Sequence, residues 1–60
     1  MSRNFQEFRT ALVAAGFSDN RAMEIANEMS KGWLFYATSA EMAAEARRLM
    51  LEDSADYWAV

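Results

Sequence analysis

The side chains able to do chemistry in this 60-residue chain are the Asp and Glu carboxylates, the Ser, Thr and Tyr hydroxyls, and one primary amine, Lys31. There is no Cys and no His. Their absence removes disulfides, thiolate or imidazole zinc sites, and catalysis by a Cys or His nucleophile or base. What remains is carboxylate chemistry, and the carboxylates have structural jobs. Glu41 and Glu45 fall on one helix face, as an acid–base pair would. Glu41, however, ends a Thr38-Ser39-Ala40-Glu41 capping box, and Glu45 stands three residues before Arg48. Asp53 and Asp56 do not have the spacing of an EF-hand loop. Gly16 and Gly32 are too far apart to form a phosphate-cradling loop. So short a chain has little room for a ligand pocket, which usually reaches about 300 Å³ or more. The reading is therefore of a protein that is not an enzyme, with no catalytic residue, metal site, cofactor or small-molecule substrate.

The informative excess is aromatic: four Phe, two Tyr and two Trp. Phe5, Phe8 and Phe17 have places in a core. Trp33, Phe35, Tyr36, Tyr57 and Trp58 fall outside the regular apolar stripes. Trp and Tyr dominate binding hot spots, so these five residues are the candidate partner-binding set. The alternative is that both Trp residues fill the core. Met23, Met29, Met42 and Met50 either line an adaptable groove or are ordinary core.

Those side chains must be held by a small scaffold. The length allows one domain, residues 1–60, with a thin core. No Pro interrupts any helix. A first helix is expected over about 4–15, capped by Asn4 or Ser2, with Phe5, Phe8, Leu12 and Ala15 on one face. Gly16 suits the left-handed helix stop, with Phe17 folding back toward Leu12. A second helix is expected over 18–31, capped by Ser18 or Asp19, with Ala22, Ile25, Ala26 and Met29 inward. Glu28 and Lys31 form an i,i+3 pair, and Gly32 is expected to stop this helix as Gly16 stops the first. The aromatic connector 33–37 reads as a buried connector, a helical turn or a short strand. A third helix is expected over 39–52. Ala40, Ala43, Ala44, Arg47, Met50 and Leu51 form one stripe, and Met42, Ala46 and Leu49 a neighbouring one. A short C-terminal tail then adds a turn or trails over the surface. The expected fold is all-α, a small three-helix bundle.

The net charge of −3 is unevenly placed. Arg3, Arg9, Arg21 and Lys31 balance Glu7, Asp19, Glu24 and Glu28 in residues 1–40. The surplus lies in Glu41, Glu45, Glu52, Asp53 and Asp56, against Arg47 and Arg48. A mildly acidic domain is a poor nucleic-acid binder, because phosphate affinity needs clustered Lys and Arg. The acidic end reads either as a solvated face or as a surface steering toward a basic partner. The N-terminus has no apolar leader segment, and no apolar run approaches the ~20 residues that span a membrane. The expectation is a cytoplasmic protein and an intact short gene product.

Two resemblances rest on the first helix stop. The stretch Phe8-x3-Leu12-Val13-x2-Gly16-Phe17-x4-Ala22-Met23 resembles the central part of short early proteins of T7-like phages. One member of that group inhibits cell division by binding the host's tubulin-like protein. The resemblance covers about a quarter of the chain and implies a class: small phage proteins that bind and block a host protein. Ala15-Gly16-Phe17 with Ala22 also resembles the helix-one loop of ubiquitin-associated domains, which are three-helix bundles. Met stands in that family where Ala15 stands here, and the link to the third helix is longer. The leading expectation is a phage-type inhibitor or modulator, acting in the host cytoplasm through the exposed aromatics and the acidic end of the third helix. The alternatives are a homodimeric structural module pairing through Ala40, Ala43 and Ala44, and a ubiquitin-associated-like adaptor.

Overall fold

The structure, a computed structural model, describes the backbone of residues 3–59 and the side chains of residues 3–52. It is an all-α three-helix bundle: α1 is Arg3–Ala15, α2 is Asp19–Met29, and α3 is Ser39–Ala59, with a 3-10 turn at Trp33–Phe35 between α2 and α3. No strand occurs among the described residues. The connector is therefore the helical turn among the three forms open to it.

The helix ends follow from local chemistry. Gly16 adopts φ 125°. Its N–H donates to the Val13 carbonyl at 3.0 Å, and the Phe17 N–H donates to the Leu12 carbonyl at 3.1 Å. This is the two-bond Schellman stop, and it turns Phe17 into the core beside Leu12. Ser18 caps α2, its hydroxyl accepting from the Arg21 N–H at 3.2 Å. Asp19 instead occupies the first turn of α2 and pairs with Arg9 at 3.3 Å. The capping box of α3 forms in both directions. The Glu41 N–H donates to the Thr38 hydroxyl at 3.2 Å, and the Thr38 N–H donates to the Glu41 carboxylate at 2.9 Å.

Four expectations need correction. Helix α2 ends at Met29, two residues early, with Ser30 as its C-cap. Gly32 lies at φ −167°, not in the left-handed region, and leads into the 3-10 turn instead of stopping α2. Asn4 is not a cap, because α1 begins at Arg3, and its amide is used elsewhere; Ser2 lies outside the described residues. The tail does not trail, since α3 runs on as helix from Glu52 to Ala59. Nothing in residues 52–59 breaks a helix once the backbone is nucleated, for there is no Gly or Pro among them.

The core is Phe5, Phe8, Leu12, Phe17, Ala22, Ala26, Leu34, Ala37, Met42 and Ala46. Helix α1 is its centre and packs against both α2 and α3, which have no comparable packing on each other. Asn4 at the start of α1 reaches the Ala37 carbonyl just ahead of α3. Gly16, just past the end of α1, lies against Met50. Helices α1 and α3 therefore run side by side in the same direction, and α2 turns back between them in sequence. The inward stripe of α3 is Met42, Ala46, Leu49 and Met50, while Ala40, Ala43, Ala44, Arg47 and Leu51 face outward. The heavier Met42 stripe carries more apolar area than a row of Ala, so burying it yields more free energy.

Candidate functional site

The connector separates its own aromatics. Leu34 turns inward and is 2% exposed, while Phe35 at the end of the turn and Tyr36 just after it are 78% and 87% exposed. A 3-10 turn places successive side chains about 120° apart, so one residue of the Trp33-Leu34-Phe35 trio can be central while its neighbours are displayed. Trp33 takes an intermediate place. It is 36% exposed, and its ring meets Phe8 edge-on at 5.4 Å between centroids. That is the favoured geometry for two aromatic quadrupoles, and it makes Trp33 a lid on the core as much as a surface group. Phe35 and Tyr36 touch each other at 6.1 Å.

Asn4 holds this turn in place. Its side-chain amide donates to the Leu34 carbonyl at 2.8 Å and to the Ala37 carbonyl at 3.2 Å. One side chain on α1 thus satisfies two acceptors on a connector some thirty residues away in sequence. Beside it opens a cleft of about 200 Å³ lined by Arg3, Asn4, Ser30, Leu34 and Phe35. The start of α1, the end of α2 and the 3-10 turn meet there.

Of the five residues singled out from sequence, Phe35 and Tyr36 are brought together on the surface, and Trp33 is shared between surface and core. The side chains of Tyr57 and Trp58 lie outside the described residues. Arg3, Asn4 and Ser30, which build the cleft with Phe35, were not singled out. Asn4 reads in sequence only as a cap, and nothing in the spacing pairs it with residue 34.

The charged groups have mostly local partners. Arg21 pairs with Glu24 at 3.5 Å and Lys31 with Glu28 at 3.7 Å, both i,i+3. Arg48 is held by Glu45 and Glu52 on the outer side of α3. The Arg48 guanidinium, hydrogen-bonded to Glu45, holds that carboxyl below the usual carboxylate range against the opposing effect of its partial burial. In turn, the hydrogen bond to Glu45 and the charges of Glu45 and Glu52 raise Arg48 above the usual arginine range. Among the described residues, Arg3 and Arg47 have no ion pair. No group of three acidic side chains among the described residues is arranged to hold a metal ion.

No protein-family model matches the chain, and neither a curated protein nor a solved structure shows significant similarity to it.

Proposed function

We propose that this protein is a small protein-binding module of the kind phages make to bind and modulate a host protein. It works without catalysis and without a cofactor, in the host cytoplasm. The observation that carries this reading is the display of Phe35 and Tyr36, 78% and 87% exposed, on a turn anchored from beneath by Leu34. Two adjacent aromatics left in water bury little apolar area inside the monomer. Aromatic groups of this kind are the usual anchors of an interface. Among the described residues no helix is long and apolar enough to cross a membrane. The net charge of −3 argues against nucleic acid as the partner.

The test is affinity capture from bacterial lysate with mass spectrometry, using the wild type beside a Phe35→Ala/Tyr36→Ala double variant. A protein retained by the first and lost by the second, with helicity unchanged, supports the reading. Equal retention by both removes the connector as the site.

A second reading, self-association, has its own observation. Ala40, Ala43 and Ala44 face outward on α3 together with Leu51, which is 71% exposed. Small residues there allow a second helix to approach closely. The net charge of α3 opposes pairing with its own copy. A clean monomer in sedimentation at micromolar concentration removes this reading, along with any homodimer. The ubiquitin-associated-like adaptor has no observation of its own.

A further inference from the structure

We infer that the cleft between the start of α1, the end of α2 and the 3-10 turn is the anchor site for a partner segment presenting one large apolar side chain next to a carboxylate. The inference rests on the protein-binding reading and gives its partner a chemistry. The size of the cleft is the first argument. At about 200 Å³ it falls below the roughly 300 Å³ at which small-molecule sites begin, and it suits a single side chain. Its lining is the second. Leu34 and the exposed ring of Phe35 give an apolar seat, and Arg3, Asn4 and Ser30 complete the lining.

Charge is the third argument, and it fixes the occupant. Arg3 lines this cleft and has no ion pair among the described residues, whereas Arg9, Arg21, Lys31 and Arg48 are each matched by a carboxylate. Lys31, next to Ser30, is already offset by Glu28. Arg3 is the one charged residue in the cleft lining, and its fork of donors suits a carboxylate better than any neutral group. Asn4 has its amide nitrogen committed to the Leu34 and Ala37 carbonyls, which leaves Oδ1 as an acceptor for a peptide N–H. A peptide with an apolar anchor and an adjacent acidic residue answers all three features. A basic peptide answers only the first two.

The experiment is a titration of the full chain, at low salt, with three capped dipeptides: acetyl-Asp-Phe-amide, acetyl-Asn-Phe-amide and acetyl-Lys-Phe-amide. Backbone amide shifts in two-dimensional NMR are the readout. The expected result is perturbation at Asn4, Ser30, Leu34 and Phe35. The Asp probe should bind about fivefold more tightly than the Lys probe, the scale of one exposed ion pair. Arg3→Gln, an exposed change in the first turn of α1, should abolish that preference and leave helicity intact. Phe35→Ala should weaken all three probes. Equal binding of the Asp and Lys probes, a preference that survives Arg3→Gln, or shifts elsewhere on the surface would each overturn the assignment. The outcome is separable from that of the capture experiment. Capture that depends on Phe35 and Tyr36 without any probe preference sinks the cleft chemistry alone. Loss of capture with the probe preference intact sinks the host-binding reading alone.

Discussion

The Asn4 side-chain amide donates to the Leu34 carbonyl at 2.8 Å, across thirty residues of sequence. The bond ties the first turn of α1 to the connector between α2 and α3. With Leu34 pinned inward, the helical twist of the turn leaves Phe35 and Tyr36 no place but the surface. Their display thus goes with a part-buried contact, and the candidate site and the core share the same hydrogen bond.

Removing that amide should loosen the connector. Asn4→Ala leaves two part-buried carbonyls, of Leu34 and Ala37, without their donor. The expected loss is about 1–2 kcal/mol in urea denaturation. Asn4→Asp should cost more, because it sets carboxylate oxygens against carbonyl oxygens. If Asn4→Asp proves as stable as the wild type, the connector is held by Leu34 packing alone.

The aromatics of the connector should separate by stability. Trp33→Ala removes the edge-on contact with Phe8 and much of a large side chain's burial, at an expected cost of about 1–3 kcal/mol. Phe35→Ala and Tyr36→Ala remove groups that are mostly in water, and each should change stability by less than about 0.5 kcal/mol. Thermal or urea melts of the three single variants check this. A large cost at Tyr36 would mean that the exposed ring supports the fold.

Local grammar made most of the fold legible, and long-range contacts account for what was missed. The Gly16-Phe17 stop, the Ser18 cap and the Thr38–Glu41 box are decided by residues within five positions of one another, so a linear reading finds them. Gly32 misled because Gly signals a break without fixing which kind. Here Ser30 ends α2 first, its hydroxyl donating to the Asn27 carbonyl at 2.7 Å. The two stripes of α3 differ by about one residue of phase, and Ala is compatible with either side. Only the position of α1 decides between them. The same holds for the site: the aromatic excess points to the connector, but Leu34 is the side chain that turns inward, its carbonyl held by Asn4, and Asn4 carries no periodic signal. Arg3 and Ser30 join the cleft only because α1 and α2 lie antiparallel.

The pH dependence of stability should carry the mark of Glu45. Its folded value is held below the ordinary 4.5 by Arg48. A depressed carboxylate contributes stability that is fully present above its unfolded value and is lost as pH falls through the folded one. Stability should therefore be flat down to about pH 4.5 for this group and decline below it. Arg48→Gln returns Glu45 toward its ordinary value, so the decline below pH 4.5 should become shallower. Urea midpoints measured from pH 7 to pH 2.5 on both proteins test this. Parallel curves would mean that the pair contributes nothing in solution.

The two glycines should respond differently to the same substitution. Gly16→Ala places a side chain at φ 125°, a backbone region that L residues rarely adopt, and sets its Cβ 3.2 Å from the Met50 methyl carbon. Met50 is flexible and can give way, so the backbone term dominates, and the expected cost is about 1–2 kcal/mol. Gly32→Ala meets no atom within 4 Å, and its φ of −167° lies outside the left-handed region. Gly32→Ala should therefore cost less than Gly16→Ala in urea melts. If both variants lose the same stability, the Schellman stop after Ala15 has no special role, and the return of Phe17 into the core must rest on its own burial.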